Sequence, residues 1–129
     1  MRDQFFADYT EPGESGNKVD VRWVALSNVQ GYGLLALGLP RLSVNALRHR
    51  TEDLEHAKHA FELPRRDETT LNLDLQQQGV GGDDSWGAWP HDEFLVPCQA
   101  HEYRFCLRPF GPRDVPATLA RRAVPAPAR

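Results

Sequence analysis

Alternation of apolar and polar residues is the feature that most constrains the fold of this chain. Between Thr69 and Leu75, leucines alternate with polar residues. The stretches 19–26 and 101–110 alternate in the same way. A period of two places successive side chains on opposite faces of a β-strand. The three stretches therefore predict half-buried strands.

Turn-forming residues separate these strands. Residues 28–33 contain Gly31 and Gly33, which predict a hairpin turn followed by a short return strand over 34–37. Pro40 is predicted to end that strand, because proline cannot donate a ladder hydrogen bond. Residues 93–96 predict a further strand fragment, which brings the expected number of strands to about five or six.

One short helix is predicted over residues 51–59. Thr51 suits the N-cap position, and the acids Glu52 and Asp53 that follow it suit the helix dipole. Pro64 lies beyond the helix, and a charged run over 65–68 follows it. We interpret that run as a solvated surface, with its arginines as surface charges or contacts to another chain.

The fold class predicted from these elements is all-β, an antiparallel β-sandwich with one short helix. The 129 residues fit one domain, which we place at 1–110. Residues 111–129 are rich in proline, alanine and arginine without periodicity, so they predict a disordered tail. A sandwich of this size buries a modest core, and an incomplete one exposes apolar surface.

Composition excludes several function classes. A formal net charge of -3 gives no support for a nucleic-acid partner, and no apolar stretch is long enough for a membrane span. The N-terminal residues include Asp3 and no apolar core, so no secretory signal is expected. Cys98 and Cys106 do not form a disulfide framework and suit a reducing compartment. We therefore expect a cytoplasmic protein.

The segment from Gly79 to Gly87 carries the strongest functional signal. Glycines at 79, 81 and 82 allow positive φ angles and close backbone approach, and Asp83, Asp84, Ser85 and Trp86 follow them. An indole on a loop offers apolar area and one N–H donor, which suits the C–H face of a sugar. The alternative is that Trp86 plugs the end of the sandwich while the two acids bind loop N–H groups. The residues alone leave both interpretations open.

Three motifs, in order, resemble those of the last domain of family 2 β-galactosidases. The first is Tyr-x-x-Pro-x-Glu-x-Gly-Asn-x-x-Asp-Val-Arg-Trp over 9–23, and the second is Glu-Leu-Pro-Arg-Arg-Asp-Glu over 62–68. The third begins with Leu-Asn-Leu-Asp at 71–74 and continues with Gly-Val-Gly-Gly-Asp-Asp-Ser-Trp at 79–86. The resemblance covers roughly residues 9–110, and its three ordered motifs make it specific.

This resemblance implies a supersandwich-like domain, here incomplete, at the mouth of a (β/α)8 barrel. The barrel supplies two catalytic glutamates for retaining hydrolysis of terminal β-D-galactosides and holds Mg and Na, so no cofactor is expected in this chain. Trp86 is the implied apolar platform for the sugar. Its supporting loop is formed by Gly81, Gly82, Asp83, Asp84 and Ser85. The implied partner is the β-galactosidase large chain or the upstream domains, without which this chain is expected to be inactive.

The chain departs from the family pattern at several places. Gln78 stands where the family usually has methionine, residues 38–47 match poorly, and the family's final domain is considerably longer. A fragment, a small subunit and a truncated remnant therefore all stay open. A stand-alone carbohydrate-binding sandwich is the alternative function from another class.

Other candidate sites are weaker. Retaining glycosidases need two carboxyl groups about 5–5.5 Å apart across the scissile bond, which the adjacent Asp83 and Asp84 do not suit. His56 and His59 have a spacing found in metal sites, but complete sites need three or four ligands. We favour a solvated helix face for these two histidines.

Overall fold

The computed structural model describes residues 10–84, 86–122 and 124. Their order is β1 (Lys18–Ser27), β2 (Gly33–Leu47), α1 (Thr51–His56), a 3₁₀ helix (Ala60–Glu62), β3 (Thr70–Asp74), a second 3₁₀ helix (Asp92–Phe94), β4 (Phe105–Phe110) and α2 (Pro116–Ala120). The described strands form one sheet in the order β1–β2–β3, and β4 also pairs with β2. The predicted all-β class with antiparallel pairing is confirmed, whereas a second sandwich layer stays a prediction.

The hairpin between β1 and β2 has the predicted turn. The N–H of Asn28 donates to the carbonyl of Tyr32 at 2.9 Å, and Gly31 has a φ of 84°. That angle lies in the left-handed region, which glycine adopts without a steric penalty. The predicted turn between β1 and the return strand is therefore confirmed.

Strand β2 continues through Pro40, so the prediction that this proline ends the strand is wrong. Residues 33–38 pair with 105–110 of β4, and residues 43–47 pair with 70–74 of β3. Pro40 lies between these two ladders, where its missing N–H removes no rung of either ladder. A strand tolerates proline where the N–H at that position has no partner in a neighbouring strand. Because β3 and β4 are distant in sequence, the residues around Pro40 do not reveal where those partners lie.

The chain divides into two compact units, and β2 contributes residues to both. The first unit contains the described residues of 1–19 together with 43–74, and its buried apolar side chains include Val44, Ala46, Leu47 and Leu54. The second contains the described residues of 20–42 and 75–129. Its core cluster consists of Leu35, Leu37, Phe110 and Leu119.

Helix α2 corrects the expectation of a structureless tail over 111–129. Leu119 is only 5% exposed and belongs to the core cluster of the second unit. The Nη1 group of Arg108 donates to the carbonyl of Leu119 at 2.6 Å, and Pro116 occupies the first turn, where proline suits a helix. Burial of one leucine thus orders a segment whose composition shows no periodicity. The domain boundary at residue 110 stays a prediction, and residues 123 and 125–129 lie outside the described residues.

Two further local predictions are wrong. Residues 92–94 form a 3₁₀ helix rather than a strand, with the N–H of Phe94 donating to the carbonyl of His91 at 2.8 Å. Helix α1 ends at His56 rather than at His59, and its N-cap is Arg50 rather than Thr51. Short apolar runs do not distinguish strands from helical turns by periodicity, which explains the first error.

Candidate functional site

The segment Gly79–His91, called the tryptophan loop below, is closed by backbone hydrogen bonds. The N–H of Gly79 donates to the carbonyl of Phe94 at 2.8 Å, and the N–H of Gly82 donates to the carbonyl of Ala88 at 2.9 Å. Pro90 is buried near the end of the loop. These contacts tie both ends of the loop together.

Asp84 anchors the part of the loop that carries Trp86. Its Oδ1 atom accepts hydrogen bonds from the N–H of Trp86 at 2.9 Å and from the N–H of Ala88 at 3.1 Å. These hydrogen bonds, Trp86 first, hold the pKa of Asp84 below its usual value. An aspartate side chain that accepts a hydrogen bond from the backbone N–H two residues ahead forms an Asx turn. The carboxylate of Asp84 is therefore occupied in holding the backbone of Trp86.

Asp83 makes a separate contact across the loop. Its Oδ1 atom lies 3.0 Å from Nε2 of His91, and both side chains are largely exposed. Asp83 and Asp84 thus bind different groups of the same loop. The sequence does not reveal this contact of His91, because a single histidine in a turn carries no local signal of its partner.

Two glycines of the loop, Gly79 and Gly82, allow close packing. A Cβ at Gly82 would lie 2.3 Å from the carbonyl oxygen of Trp89, and a Cβ at Gly79 would lie 2.9 Å from Cβ of Phe94. At Gly81 a Cβ would meet nothing within 4 Å. The left-handed conformation occurs instead at Gly87, with a φ of 126°. Gly82 is therefore the glycine on which the path of this loop most depends.

Two indoles of the tryptophan loop are exposed. Trp86 is 89% exposed and Trp89 is 78% exposed. Trp86 therefore does not plug the core of this chain, and its proposed contact with sugar stays a prediction. Trp89 was missed, although its position three residues after Trp86 and directly before a proline is visible in the sequence. Ser85, predicted as a supporting residue, lies outside the described residues.

Asp53 and Arg66 form a bidentate ion pair in the first unit, which corrects the interpretation of Arg66 as a surface charge or a contact to another chain. Arg66 donates from Nε and Nη2 to the two carboxylate oxygens of Asp53, each at 2.6 Å. The Asp53 side chain is 8% exposed, and it also accepts the N–H of Arg50 at 2.8 Å. Arg66 first, and then Arg50, hold the pKa of Asp53 well below its usual range. A second pair joins Arg50 to Glu68.

A cavity of about 280 Å³ lies beside α1 in the first unit. Its lining residues are Glu52, Asp53, His56, Ala57, Glu62 and Pro64. His56 contacts the carbonyl of Glu52 at 2.6 Å through Nδ1, and His59 stacks on Phe61 with ring centroids 5.3 Å apart. The described residues contain no group of three or more metal-ligating side chains. The two histidines therefore have local partners in this part of the chain and do not face a common site.

Two further predictions concerned membrane-spanning segments and the cysteines. Within the described residues, every helix is too short or too polar to cross a bilayer. Cys98 is exposed, Cys106 is partly buried, and both are free thiols.

Comparison with known proteins connects the sequence to one family. Residues 1–107 match the family described as β-galactosidase small chain. A β-galactosidase of Priestia megaterium is 42% identical over 102 residues, which are 78% of this chain and 10% of that relative. A β-galactosidase of Streptococcus thermophilus is 40% identical over 106 residues, which are 81% of this chain and 10% of the relative.

A third relative shows the same relation of lengths. The β-galactosidase of Lactobacillus delbrueckii subsp. bulgaricus is 37% identical over 105 residues, covering 81% of this chain and 10% of the relative. The chain thus spans about a tenth of the length of the curated relatives it matches. The match covers the first compact unit, the tryptophan loop and the second unit as far as residue 107, and it shows that the chain belongs to the β-galactosidase small-chain family.

Proposed function

We propose that this chain completes the substrate pocket of a family 2 β-galactosidase that hydrolyses terminal β-D-galactosides. In this proposal Trp86 is an apolar platform for the sugar. Gly81, Gly82, Asp83, Asp84 and Ser85 form the loop that supports it. The chain supplies binding and orientation and takes no part in bond cleavage.

The observation that carries the proposal is the fixed but exposed position of Trp86. Its backbone N–H is held by Asp84 at 2.9 Å while its side chain is 89% exposed. A tryptophan side chain has only two rotatable bonds, so it loses little conformational entropy when a ligand covers its large apolar surface. The C–H face of a sugar is a suitable ligand for an indole of this kind.

Catalysis is assigned to another part of the enzyme. The carboxylates of Asp83 and Asp84 are bound to atoms of their own loop, which makes them unsuitable as a nucleophile and acid pair. We assign the two catalytic glutamates, the retaining mechanism and the Mg and Na ions to the barrel domain of the longer enzyme. The isolated chain is therefore expected to show no hydrolysis.

A partner for this chain is supported by the outer face of β4. Phe105 is 43% exposed and Leu107 is 49% exposed, while the intervening Cys106 packs against the core cluster. In the ladder these two exposed residues lie opposite Gly38 and Ala36 of β2. Exposed apolar residues on one sheet face mark a surface for another layer of protein. We assign that surface to the large chain or to the upstream domains.

A hybrid enzyme tests the proposal. In it, this chain replaces the matching segment of the Priestia megaterium β-galactosidase, and hydrolysis of a chromogenic galactoside is measured. Trp86→Ala is expected to raise KM roughly 30-fold, which corresponds to about 2 kcal/mol of lost aromatic burial. Phe61→Ala is the matched control, because Phe61 is an exposed aromatic residue of the first unit.

The outcomes separate the proposal from its alternatives. An active hybrid whose KM is raised by Trp86→Ala and unchanged by Phe61→Ala supports a small-chain role. An inactive hybrid, with an isolated chain that is folded and binds galactosides by itself, supports a stand-alone carbohydrate-binding module. An inactive hybrid with an unfolded isolated chain supports a truncated remnant.

A further inference from the structure

The contact between Asp83 and His91 crosses the tryptophan loop through two side chains. Oδ1 of Asp83 lies 3.0 Å from Nε2 of His91, eight residues away in sequence. A carboxylate only accepts hydrogen bonds, so the imidazole is the donor. Gly82 and Asp84, which flank Asp83, both bind Ala88 across the loop. The contact with His91 therefore extends a set of hydrogen bonds that hold the two sides of the loop together.

The backbone of His91 is held at the base of the loop. Its carbonyl accepts the N–H of Phe94 at 2.8 Å, in the second 3₁₀ helix. The carbonyl of Phe94 in turn accepts the N–H of Gly79 at 2.8 Å, and Pro90, which precedes the histidine, is buried. The imidazole of His91 therefore reaches across the loop from a hydrogen-bonded base.

Asp83 is directly followed by the residue that holds Trp86. Oδ1 of Asp84 accepts the backbone N–H of Trp86 at 2.9 Å. A shift of the backbone at Asp83 also moves Asp84, because a planar peptide holds adjacent Cα atoms about 3.8 Å apart. Any freedom that Asp83 gains is therefore passed to the hydrogen bond that holds the backbone of Trp86.

We propose that His91 is a positioning residue for substrate binding. Its imidazole holds Asp83, and this helps the neighbouring carboxylate of Asp84 to hold the backbone of Trp86. This inference rests on the proposed function, in which Trp86 contacts the sugar. The side chains of His91 and Asp83 are 57% and 86% exposed, so their contact adds little to the free energy of unfolding. Its effect is local to the loop and is expected in KM rather than in the unfolding midpoint.

The first test measures KM and kcat for a chromogenic galactoside in the hybrid enzyme. His91→Ala is expected to raise KM roughly two- to fivefold at unchanged kcat, because the loss of an exposed polar pair lowers the population of the binding arrangement by about that factor. His91→Gln should retain the wild-type KM, since its amide can donate from the position of Nε2. His101→Ala is the matched control, because His101 is an exposed histidine of the same unit whose Nε2 contacts the carbonyl of Pro97 at 2.9 Å.

The second test follows backbone hydrogen exchange of the peptide 84–88 in the hybrid by mass spectrometry and needs no activity. His91→Ala should make exchange roughly two- to fivefold faster, and His91→Gln should restore the slower rate. Asp83→Ala should have the same effect as His91→Ala, and the double variant should exchange no faster than either single variant, because both substitutions remove one contact. Asp83→Ala also measures the loss of this contact should His91→Ala not fold.

The outcomes distinguish this inference from the proposed function. An unchanged KM with His91→Ala, in a hybrid whose KM is raised by Trp86→Ala, would overturn the role of His91 and leave the proposed function intact, whether or not exchange becomes faster. An unchanged KM with Trp86→Ala would overturn the proposed function, and this inference with it. If His91→Ala lowers the unfolding midpoint of the hybrid, if His91→Gln is as impaired as His91→Ala, or if His101→Ala has an equal effect, the histidine does not act by holding the loop and the inference fails.

Discussion

The α1–β3 segment (51–74) and the tryptophan loop each depend on one aspartate, but the two aspartates do different work. Asp53 is 8% exposed at its side chain and binds the guanidinium of Arg66 through both oxygens. Asp84 is exposed and binds two backbone N–H groups of its own loop. The first joins residues 13 apart in sequence, and the second joins residues only two and four apart.

This difference shows that a carboxylate can stabilise the fold in one region and fix the backbone of an exposed loop in another. A carboxylate withdrawn from water requires a charged partner, so Asp53 and Arg66 depend on each other. A carboxylate in water that accepts from backbone N–H groups fixes a turn locally and leaves the neighbouring side chains free. Changes in the α1–β3 segment should therefore alter unfolding, whereas changes in the tryptophan loop should alter binding.

Leu54→Ala should produce the largest effect, and the effect should be on stability. Leu54 is 7% exposed and is the buried residue of α1, so its removal leaves a cavity costing about 3 kcal/mol of the free energy of unfolding. Urea unfolding of the chain measures this loss. The neighbouring exposed residue supplies the control, since Glu55→Ala should change the unfolding midpoint very little. Equal losses for both variants would contradict the assignment of α1 to a packed unit.

Gly82→Ala should produce the next largest effect, and the effect should be on activity. The added methyl group would lie 2.3 Å from the carbonyl oxygen of Trp89, so the loop must move. Displacements of about 1 Å in a binding site can lower kcat/KM roughly 100-fold, and we expect a loss between about 10-fold and 100-fold in the hybrid enzyme. Gly81→Ala is the matched control, because a Cβ there meets nothing within 4 Å. If the two variants have the same activity, close packing at Gly82 does not position the loop.

Arg66→Gln should make stability depend less on pH. The pKa of Asp53 is held below its usual value in the folded protein. The ion pair therefore stabilises the folded protein fully above pH about 3.9, which is the pKa of aspartate in an unfolded chain. This stabilisation is lost as the pH falls from that value toward the pKa of Asp53 in the folded protein. The urea midpoints of wild type and variant should differ most at neutral pH, and the difference should shrink as the pH falls below about 3.9 toward the lower pKa of Asp53 in the folded protein. Arg65→Gln, at an exposed neighbour, should retain the wild-type profile. A constant difference at every pH would show that the charge of Asp53 is not what Arg66 stabilises.

Asp84→Ala should have the smallest effect and should sharpen the comparison. Losing the acceptor of the Trp86 and Ala88 N–H groups should raise KM a few-fold, since a turn-capping contact is worth about 1 kcal/mol. Asp84→Asn keeps an amide oxygen in the same place and should retain most of the wild-type KM. The two variants should have nearly equal unfolding midpoints. An asparagine variant as impaired as the alanine variant would indicate that the charge of Asp84, rather than its hydrogen bonds, matters.

The candidate site was predictable in part. Its loop was visible because glycines, acids and an aromatic residue occur together within nine positions, from 79 to 87. The exposure of Trp86 required the folded loop, whereas the binding of loop N–H groups by Asp84 was one of the interpretations that the sequence left open. Trp89 and His91 were missed, because their roles depend on Gly82 and Asp83, and no local pattern connects those residues.

Local periodicity by itself determined the strands β1, β3 and β4 and the hairpin turn, because alternation and turn chemistry act between near neighbours. Only the tertiary structure decided that β2 continues through Pro40, that burial of Leu119 orders α2, and that Arg66 binds Asp53. Each of these depends on a hydrogen bond, a buried side chain or a charge supplied by residues distant in sequence. Such partners meet only when the chain has folded, so no local pattern could reveal them.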